Sequence, residues 1–498
     1  MSAFDAPTGL EAELMAWFAG RTQRTIDTAC AHVFLAPDAA WKIKRHADLG
    51  YADFSTPERR RWALDRELEF NRATAPDIYR AVRRVTREPG GGFAIDGAGE
   101  TVEHVLEMRR FDERGVLSAQ PEAVDGDLAD GLGRTIAGFH AAAPLRPAGG
   151  LTALSFTVGS NAQLLRETCQ GLDQARVEVM VEATEAALEA QAALLAHRAA
   201  TGFSRRCHGD LHLGNILLEN GRPVLFDCIE FNDLLSDLDV LYDLAFLLMD
   251  LDFRDRRDAA VRALSGYLDE AARSFPAEIW DGLAALPLML SVRAGVRAHV
   301  MAHSNDAETG RAYVEAAIAH LSPPPPVLAA VGGLSGSGKS RFARAIAPAL
   351  GASPGAVILR TDEVRKRLAG VAPTDRLPPE AYAPEHYART YDTLFESARA
   401  LLRAGRAVVL DATFLDPALR ARAEALASAC GVPFRPAWLD APLAVLEARV
   451  AGREGDASDA TVEVLPDQAA RLAAQDLAWP RVNTDAEQGA AARAWLAG

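Results

Sequence analysis

At 498 residues the chain exceeds what one compact core ordinarily serves, so two or three domains are expected. Its 49% hydrophobic and 24% charged residues are those of a globular protein, and no apolar run approaches the roughly 20 residues of a membrane span. A formal net charge of −15 disfavours nonspecific binding to nucleic acid or to anionic membranes.

That charge is uneven: 20 basic and 20 acidic residues lie from Val327 onward, against 33 and 48 before it. The acidity therefore belongs to the N-terminal part, as surface solubility or as a preference for cationic substrates. The five cysteines (30, 169, 207, 228 and 430) are scattered without CxxC spacing, which points to a reducing cytoplasm. The start, "MSAFDAPTGLEAELMAWF", lacks the basic region of a secretory signal. Only four lysines occur (42, 44, 339 and 366), so each marks a place where a compact charge on a flexible stem is favoured over guanidinium.

In chain order, "HVFLAPDAAWKIKR" reads as two short strands around a turn at Pro37-Asp38. Alternation sets Lys42 and Lys44 on one face, with Trp41 and Ile43 on the other. "TPERRRWALDRELEFNRA" predicts a charged amphipathic helix, and "VEHVLEMRRF" a strand leading into a connector. From about Gly126 to His320 the pattern is helical, except for "CHGDLHLGNILLENGRPVLFDCIEFND", which carries a hairpin turn at Asn220-Gly221.

"CHGDLHLGN" admits two chemistries. A metal-dependent hydrolase would use His208, Asp210 and His212 aligned on a strand, but Gly209 and Gly214 disfavour a regular strand and no second ligand cluster appears. A kinase needs a base Asp and a metal-binding Asn five residues apart, as in HRDxxxxN, and Asp210 and Asn215 have that spacing. It also needs a second metal-binding Asp at a strand end, supplied by Asp227 in "VLFDCIEF". A strand lysine facing a helix glutamate completes the set: "WKIK" offers Lys42 and Lys44, and "DRELEF" offers Glu67 and Glu69.

These residues resemble the aminoglycoside phosphotransferase/choline kinase branch of the protein-kinase-like fold, over about residues 25–320. In it the loop reads HGDxxxxN, "VLEMRRF" joins the lobes and "GRTIAGFHAA" is the helix before the loop. The resemblance implies that Asp210 orients or deprotonates an acceptor hydroxyl, while Asn215 and Asp227 hold Mg²⁺ brought with ATP. It makes His208 structural, gives His212 either support or substrate contact, and lets Asp243 in "YDLA" buttress the loop. No GxGxxG precedes the lysines, so "TIDTACAHVFL" must cover the phosphates with small residues. Either lysine could contact ATP; the last position of a V-A-I-K-like pattern favours Lys44. Glu67 is favoured over Glu69 as the helix partner.

"SPPPP", residues 322–326, is a stiff spacer. It divides the chain into domains 1–321 and 327–498. Beyond it, "VLAAVGG", "AVILRTD", "AVVLDAT", "FRPAWLDA" and "RVNTDA" alternate with helical segments, predicting a five-stranded parallel α/β sheet. "GGLSGSGKS" holds GxxxxGKS between a strand and a helix, the setting a phosphate-binding P-loop requires. Gly333, Gly336, Ser337 and Gly338 would shape the loop, Lys339 bridge the β- and γ-phosphates, and Ser340 ligate Mg²⁺. Asp362 and Asp411 fall at the ends of the second and third strands, where they can bind metal or activate a hydroxyl. Arg449 and Arg453, one turn apart before "EGDASDAT", would form a lid bringing guanidinium charge to the phosphoryl group.

This segment, about 327–485, resembles the small P-loop kinases around gluconate kinase, zeta toxins and polynucleotide 5′-kinases. That resemblance implies a base or orienting role for Asp362 and a substrate or phosphate contact for Arg365. The chain as a whole thus reads as an α+β kinase-like two-lobed domain followed by an α/β P-loop domain. It is expected to be an ATP- and Mg²⁺-dependent phosphotransferase of the cytoplasm acting on small hydroxyl-bearing molecules. The rival readings are one catalytic domain gated by a nucleotide-sensing P-loop module, or a protein or nucleic-acid-end kinase.

Overall fold

The structure, a computed structural model, describes residues 9–48, 52–169, 171–453, 457–485 and 488–498. After α1 (Gly9–Ala19), six antiparallel strands form one sheet: β1 (Arg24–Asp27), β2 (Ala31–Leu35), β3 (Ala39–Lys44), β4 (Tyr79–Arg87), β5 (Phe93–Ile95) and β6 (Glu100–Arg109). Their order is β1-β2-β3-β6-β4-β5. Between β3 and β4 runs α2 (Pro57–Arg72), started by Pro57 and by Thr56, whose side chain accepts the Arg59 N–H. The two faces of β3 have opposite fates. Trp41 and Ile43 pack with Leu14, Phe18 and Phe34 on the α1 side, which turns Lys42 and Lys44 toward α2.

The second lobe is helical: α3 (Gly126–Ala142), α4 (Leu151–Glu167), α5 (Gln174–Ala200), and later α6 (Val240–Phe253), α7 (Arg257–Ala271), α8 (Leu286–His303) and α9 (Ala307–His320). Four short strands interrupt it: β7 (Ser204–Arg206), β8 (Ile216–Glu219), β9 (Arg222–Leu225) and β10 (Asp237–Asp239). The β8–β9 hairpin turns at Asn220 and Gly221, both at positive φ, as the sequence predicts. One stretch the sequence reading passes over, Ala277–His303, is long and apolar enough to span a membrane by length and composition. Its apolar window is 78% buried inside the protein, where a helix apolar on all sides belongs.

Residues 323–327 carry neither helix nor strand. The C-terminal sheet follows: β11 (Leu328–Gly333), β12 (Val357–Arg360), β13 (Val408–Asp411), β14 (Phe434–Asp440) and β15 (Arg481–Asn483), all parallel, in the order β12-β13-β11-β14-β15. All six residues of central β11 are buried, so it reads as an uninterrupted apolar run. The connecting helices are α10 (Lys339–Ile346), α11 (Thr361–Leu368), α12 (Pro384–Arg403), α13 (Pro417–Cys430), α14 (Leu443–Ala451), α15 (Leu465–Ala473) and α16 (Gln488–Ala497).

The two domains meet where α7 covers edge strand β12. Ser265 Oγ accepts the Ile358 N–H (3.2 Å), Arg257 donates to the Pro354 carbonyl (2.7 Å), and Asp269 pairs with Arg367. The helix thereby protects an edge that would otherwise offer unpaired backbone groups.

Candidate active sites

The loop from Cys207 to Asn215 is not a strand. Gly209 turns it at φ 86°, and a Cβ there would sit 2.5 Å from the Leu235 carbonyl oxygen. Asp243, buried in the first turn of α6, accepts the N–H groups of His208 (3.0 Å) and Gly209 (2.8 Å) and faces His140 Nε2 at 3.1 Å. Arg293 of α8 donates to the Gly209 carbonyl (2.9 Å). The loop is clamped from both sides.

His208 donates from Nε2 to the Phe226 carbonyl (2.9 Å) and accepts the Asp210 N–H at Nδ1 (3.3 Å). Both ring nitrogens are occupied, and burial holds the imidazole below its ordinary 6.5. A metal held by His208, Asp210 and His212 is therefore set aside. The grouping His140, Cys207 and Asp243 lies within ligand distance, but it is committed to the loop clamp and burial keeps the Cys207 thiol protonated.

Asn215 Nδ2 donates to Asp210 Oδ2 (2.8 Å) and to the Asp210 carbonyl (2.9 Å). His212 Nε2 lies 3.4 Å from Asp210 Oδ2, and its Nδ1 accepts the Gly214 N–H. Burial alone would raise the Asp210 carboxyl, yet the charge and hydrogen bond of His212 hold it below the usual carboxylate range. Burial alone would lower His212, yet Asp210 raises it above 6.5. Protonated His212 is thus favoured by folding; its contribution is full below about pH 6.5 and lost as pH rises through the elevated value. His212→Gln should lower Tm more at about pH 6 than at about pH 9; calorimetry showing an equal drop at both would remove this pair as a source of stability.

Asp227 follows β9 at positive φ (63°) and is half-exposed. Lys42 Nζ reaches it at 2.9 Å while bonding Glu67 Oε1 at 2.6 Å. Lys44 is placed otherwise: it is 1% exposed, with Nζ enclosed by Glu67 Oε2 (2.7 Å) and Glu230 Oε1 (2.5 Å). Both lysines line the same cleft, and their pairing favours Lys42 over the expected Lys44 for a phosphate contact. Both lysines share the α2 face, but only Lys42 extends to Asp227. Glu67, not Glu69, is the helix partner, and it serves both lysines. Glu230 was missed; a second lysine pointing into the protein was the signal that another buried carboxylate must meet it.

The two lysines should separate in experiment. Lys44→Met leaves Glu230 and half of Glu67 buried without a cation, a change that costs about 3–5 kcal/mol. Lys42→Met leaves Glu67 paired with Lys44 and should instead weaken nucleotide binding about tenfold or more. Denaturant melts and nucleotide titrations of both variants check this; equal stability losses would contradict it.

A cavity of about 480 Å³ lies between the β1–β3 sheet and the loop, reached by Lys42, Asp210 and Asp227. Thr28, Ala29 and Cys30, between β1 and β2, line it with small side chains where a glycine loop is missing.

The second site forms at the C-terminal edge of the parallel sheet. Gly338 stands in the left-handed conformation (φ 88°) as the residue before α10, so that the P-loop backbone closes at the helix N-terminus. Gly336, Gly338, Lys339, Ser340, Asp362, Arg365, Asp411 and Arg453 line one cavity of about 500 Å³. Gly333 ends β11, and Ser337 is buried within the loop, where Thr484 Oγ1 donates to its carbonyl (2.9 Å). Lys339 donates to the Leu334 carbonyl (2.8 Å); burial lowers its ammonium, opposed by Asp411 and Asp362.

Arg360 holds Asp411 (3.2 Å) and is itself held by Glu363 (3.0 Å). Asp362 lies in the first turn of α11 and pairs with Arg365 (3.0 Å), whose guanidinium stacks 4.7 Å above the Tyr382 ring. Gln468 closes the tip of the loop, accepting the Ser335 N–H and donating to its hydroxyl. Lys366, the fourth lysine, is buried and pairs with Asp459 (3.1 Å), which also accepts from Tyr382 Oη (2.7 Å). Three of the four lysines thus line the two cavities, and Lys366 pairs behind the second with Asp459, which lines it.

Arg449 departs from expectation. It donates to the Thr484 carbonyl (2.7 Å) past the end of β15 and does not line the cavity. Its position inside α14 turns it toward the sheet, whereas Arg453, beyond the helix end, is released toward the phosphate loop. Residues 454–456 of the expected lid lie outside the described residues. Arg293, Arg360 and Gln468 were also missed. An Arg at the centre of the apolar α8 run was a signal for the first; the other two carry none in the sequence.

The phosphotransferase enzyme family matches residues 64–279, and an AAA domain matches residues 328–475. Over 477 residues the chain is 33% identical to the uncharacterized protein Rv2004c of Mycobacterium tuberculosis, covering 91% of this chain and 90% of that one. The uncharacterized protein Mb2027c of Mycobacterium bovis matches with the same identity and coverage. The chain belongs to their family. This chain joins a phosphotransferase enzyme domain to a P-loop kinase domain, and it is a kinase.

Among solved structures, a choline/ethanolamine kinase family protein from Mesorhizobium loti is 16% identical, covering 61% of this chain and 88% of its own, with a TM-score of 0.37. A sugar kinase from Janibacter sp. HTCC2649 is 23% identical, covering 35% and 94%, with a TM-score of 0.26. The Mycobacterium tuberculosis APS kinase CysC is 21% identical, covering 35% and 99%, with a TM-score of 0.26.

Proposed function

We propose that the protein is a bifunctional, ATP- and Mg²⁺-dependent kinase of the cytoplasm, with one phosphoryl-transfer site on each side of residues 322–326. The carrying observation is that each cavity gathers a lysine and carboxylates from separate elements: Lys42, Asp210 and Asp227 in one, and Lys339, Asp362 and Asp411 in the other. Such a set has no role in folding that an apolar core would not fill better, and it suits a triphosphate with its divalent ion.

At the first site Asp210, held ionised by His212, orients an acceptor hydroxyl and takes its proton. Asn215 and Asp227 would hold Mg²⁺, and Lys42, fixed by Glu67, would hold the phosphates. At the second site the P-loop amides and Lys339 would cradle phosphate, Ser340 and Asp411 would hold the metal, and Asp362 would orient the acceptor hydroxyl. Arg453 neutralises charge at the transferring group, and Arg365 with Tyr382 lines the acceptor side. Bound Mg·ATP supplies the γ-phosphoryl group and much of the charge neutralisation. Both acceptors are small hydroxyl-bearing metabolites of the sugar, amino-sugar or amino-alcohol kind, since both cavities are of small-molecule size.

A metabolite extract incubated with ATP and scanned for mass gain of one phosphate tests this directly. Wild type should yield products, one set lost in Asp210→Ala and another in Lys339→Ala. Products indifferent to both changes would refute the two-site reading.

A further inference from the structure

A third cavity, about 520 Å³, belongs to neither active site yet equals them in size. It lies behind the catalytic loop. Cys207 and Cys228, the residues adjoining His208 and Asp227, line it together with Phe70 and Thr74 on the α2 side and Gly138 and Phe139 on α3. Two guanidiniums stand at its margin, but both are engaged. Arg206 pairs with Asp233 (2.9 Å) and Asp237 (2.6 Å), and Arg146 with Asp237 (3.4 Å). Glu69 of α2 adds an exposed carboxylate to the lining. The rest of the cavity offers ring faces, alkyl groups and uncharged polar groups, with no spare cation to attract an anion.

We propose that this cavity is a regulatory binding site for an uncharged, ring-sized apolar molecule, whose occupancy changes nucleotide affinity at the first active site. The coupling runs through two elements that the cavity shares with that site. Asn71 of α2 accepts the Cys228 N–H (2.9 Å), and Thr74 Oγ1 lies 4.0 Å from Cys228 Sγ. One turn earlier on α2, Glu67 holds Lys42, which reaches Asp227, the neighbour of Cys228. A ligand between α2 and Cys228 bears on the spacing between Lys42 and Asp227, and nucleotide binding bears equally on the ligand, because the coupling is reciprocal. The binding half stands on the cavity alone; the regulatory half rests on the reading of the first site as a nucleotide site.

The test uses N-phenyl-1-naphthylamine, an uncharged apolar fluorophore, titrated into the full chain with both clefts filled by a non-hydrolysable ATP analogue and Mg²⁺. The expected result is saturable one-to-one enhancement that weakens at least about tenfold in Gly138→Leu and Ala142→Leu. At Gly138 an added Cβ meets nothing within 4 Å, and Leu is the stronger helix former, so an unchanged denaturant midpoint is expected and is measured alongside. Absence of saturable binding, or undiminished binding in both variants, overturns the site. In a Lys339→Ala background, the probe should then shift the Kd of a fluorescent ATP analogue by about fivefold or more. An unchanged Kd with the probe bound overturns the regulation. Failure of that chain to bind the analogue with no probe present would count against the nucleotide reading of the first site, not against the cavity.

Discussion

Asp210→Asn should lower phosphoryl transfer at the first site by about 10³-fold, within the range that a positioned general base supplies, while leaving fold and nucleotide affinity intact. The side chain is 36% exposed in the cleft, and an amide oxygen can still accept from Asn215, so the loop keeps its shape. What disappears is the charge that orients and deprotonates the acceptor hydroxyl. The same substitution removes the partner that raises His212, so that imidazole should titrate lower in the variant, visible by NMR even before any acceptor is known. Retained turnover with a relaxed His212 would show that Asp210 is an electrostatic partner and no base.

Lys339→Met should lower phosphorylation at the second site by about 10²–10³-fold, the scale of losing one preorganised charge at a developing transition state. Its part-buried ammonium lines the cavity with Asp411 and Asp362, and desolvation already lowers it against their charges, so a bound polyanion gains strongly from it. Products of the first site should persist. Loss of both product sets in Lys339→Met would instead favour a P-loop module that gates a single catalytic domain. Contacts of α7 with β12 and, through the Asp269–Arg367 pair, with α11 give such gating a physical route.

Much of both sites was legible because their chemistry is local. Asp210 and Asn215 are tied by a five-residue spacing on one loop, and Gly333 to Ser340 by a single strand–loop–helix turn. In each case the chain's own geometry places the groups, whatever surrounds them. The three central and neighbouring strands β11, β12 and β13 were legible for a related reason: they are buried at every position and so read as largely apolar runs, and the helices between them repeat at their own period.

Orientation was decided by packing. Lys42 and Lys44 share a face by alternation, and nothing within "WKIK" says which extends to Asp227; Glu230, 186 residues from Lys44, encloses one and leaves the other. Arg449 and Arg453 repeat at helical spacing, yet Thr484 beyond β15 draws the first away from the cavity. The clamp on the catalytic loop likewise joins α3, α6 and α8, which meet only when the helical lobe closes. "CHGDLHLGN" thus carried its chemistry in its spacing, down to the His212 that holds Asp210 ionised, while Asp243, Arg293 and the Phe226 carbonyl that fix the loop came from distant segments. A charge inside a protein is fixed by whatever is nearest to it in space, and the sequence records only what is nearest along the chain.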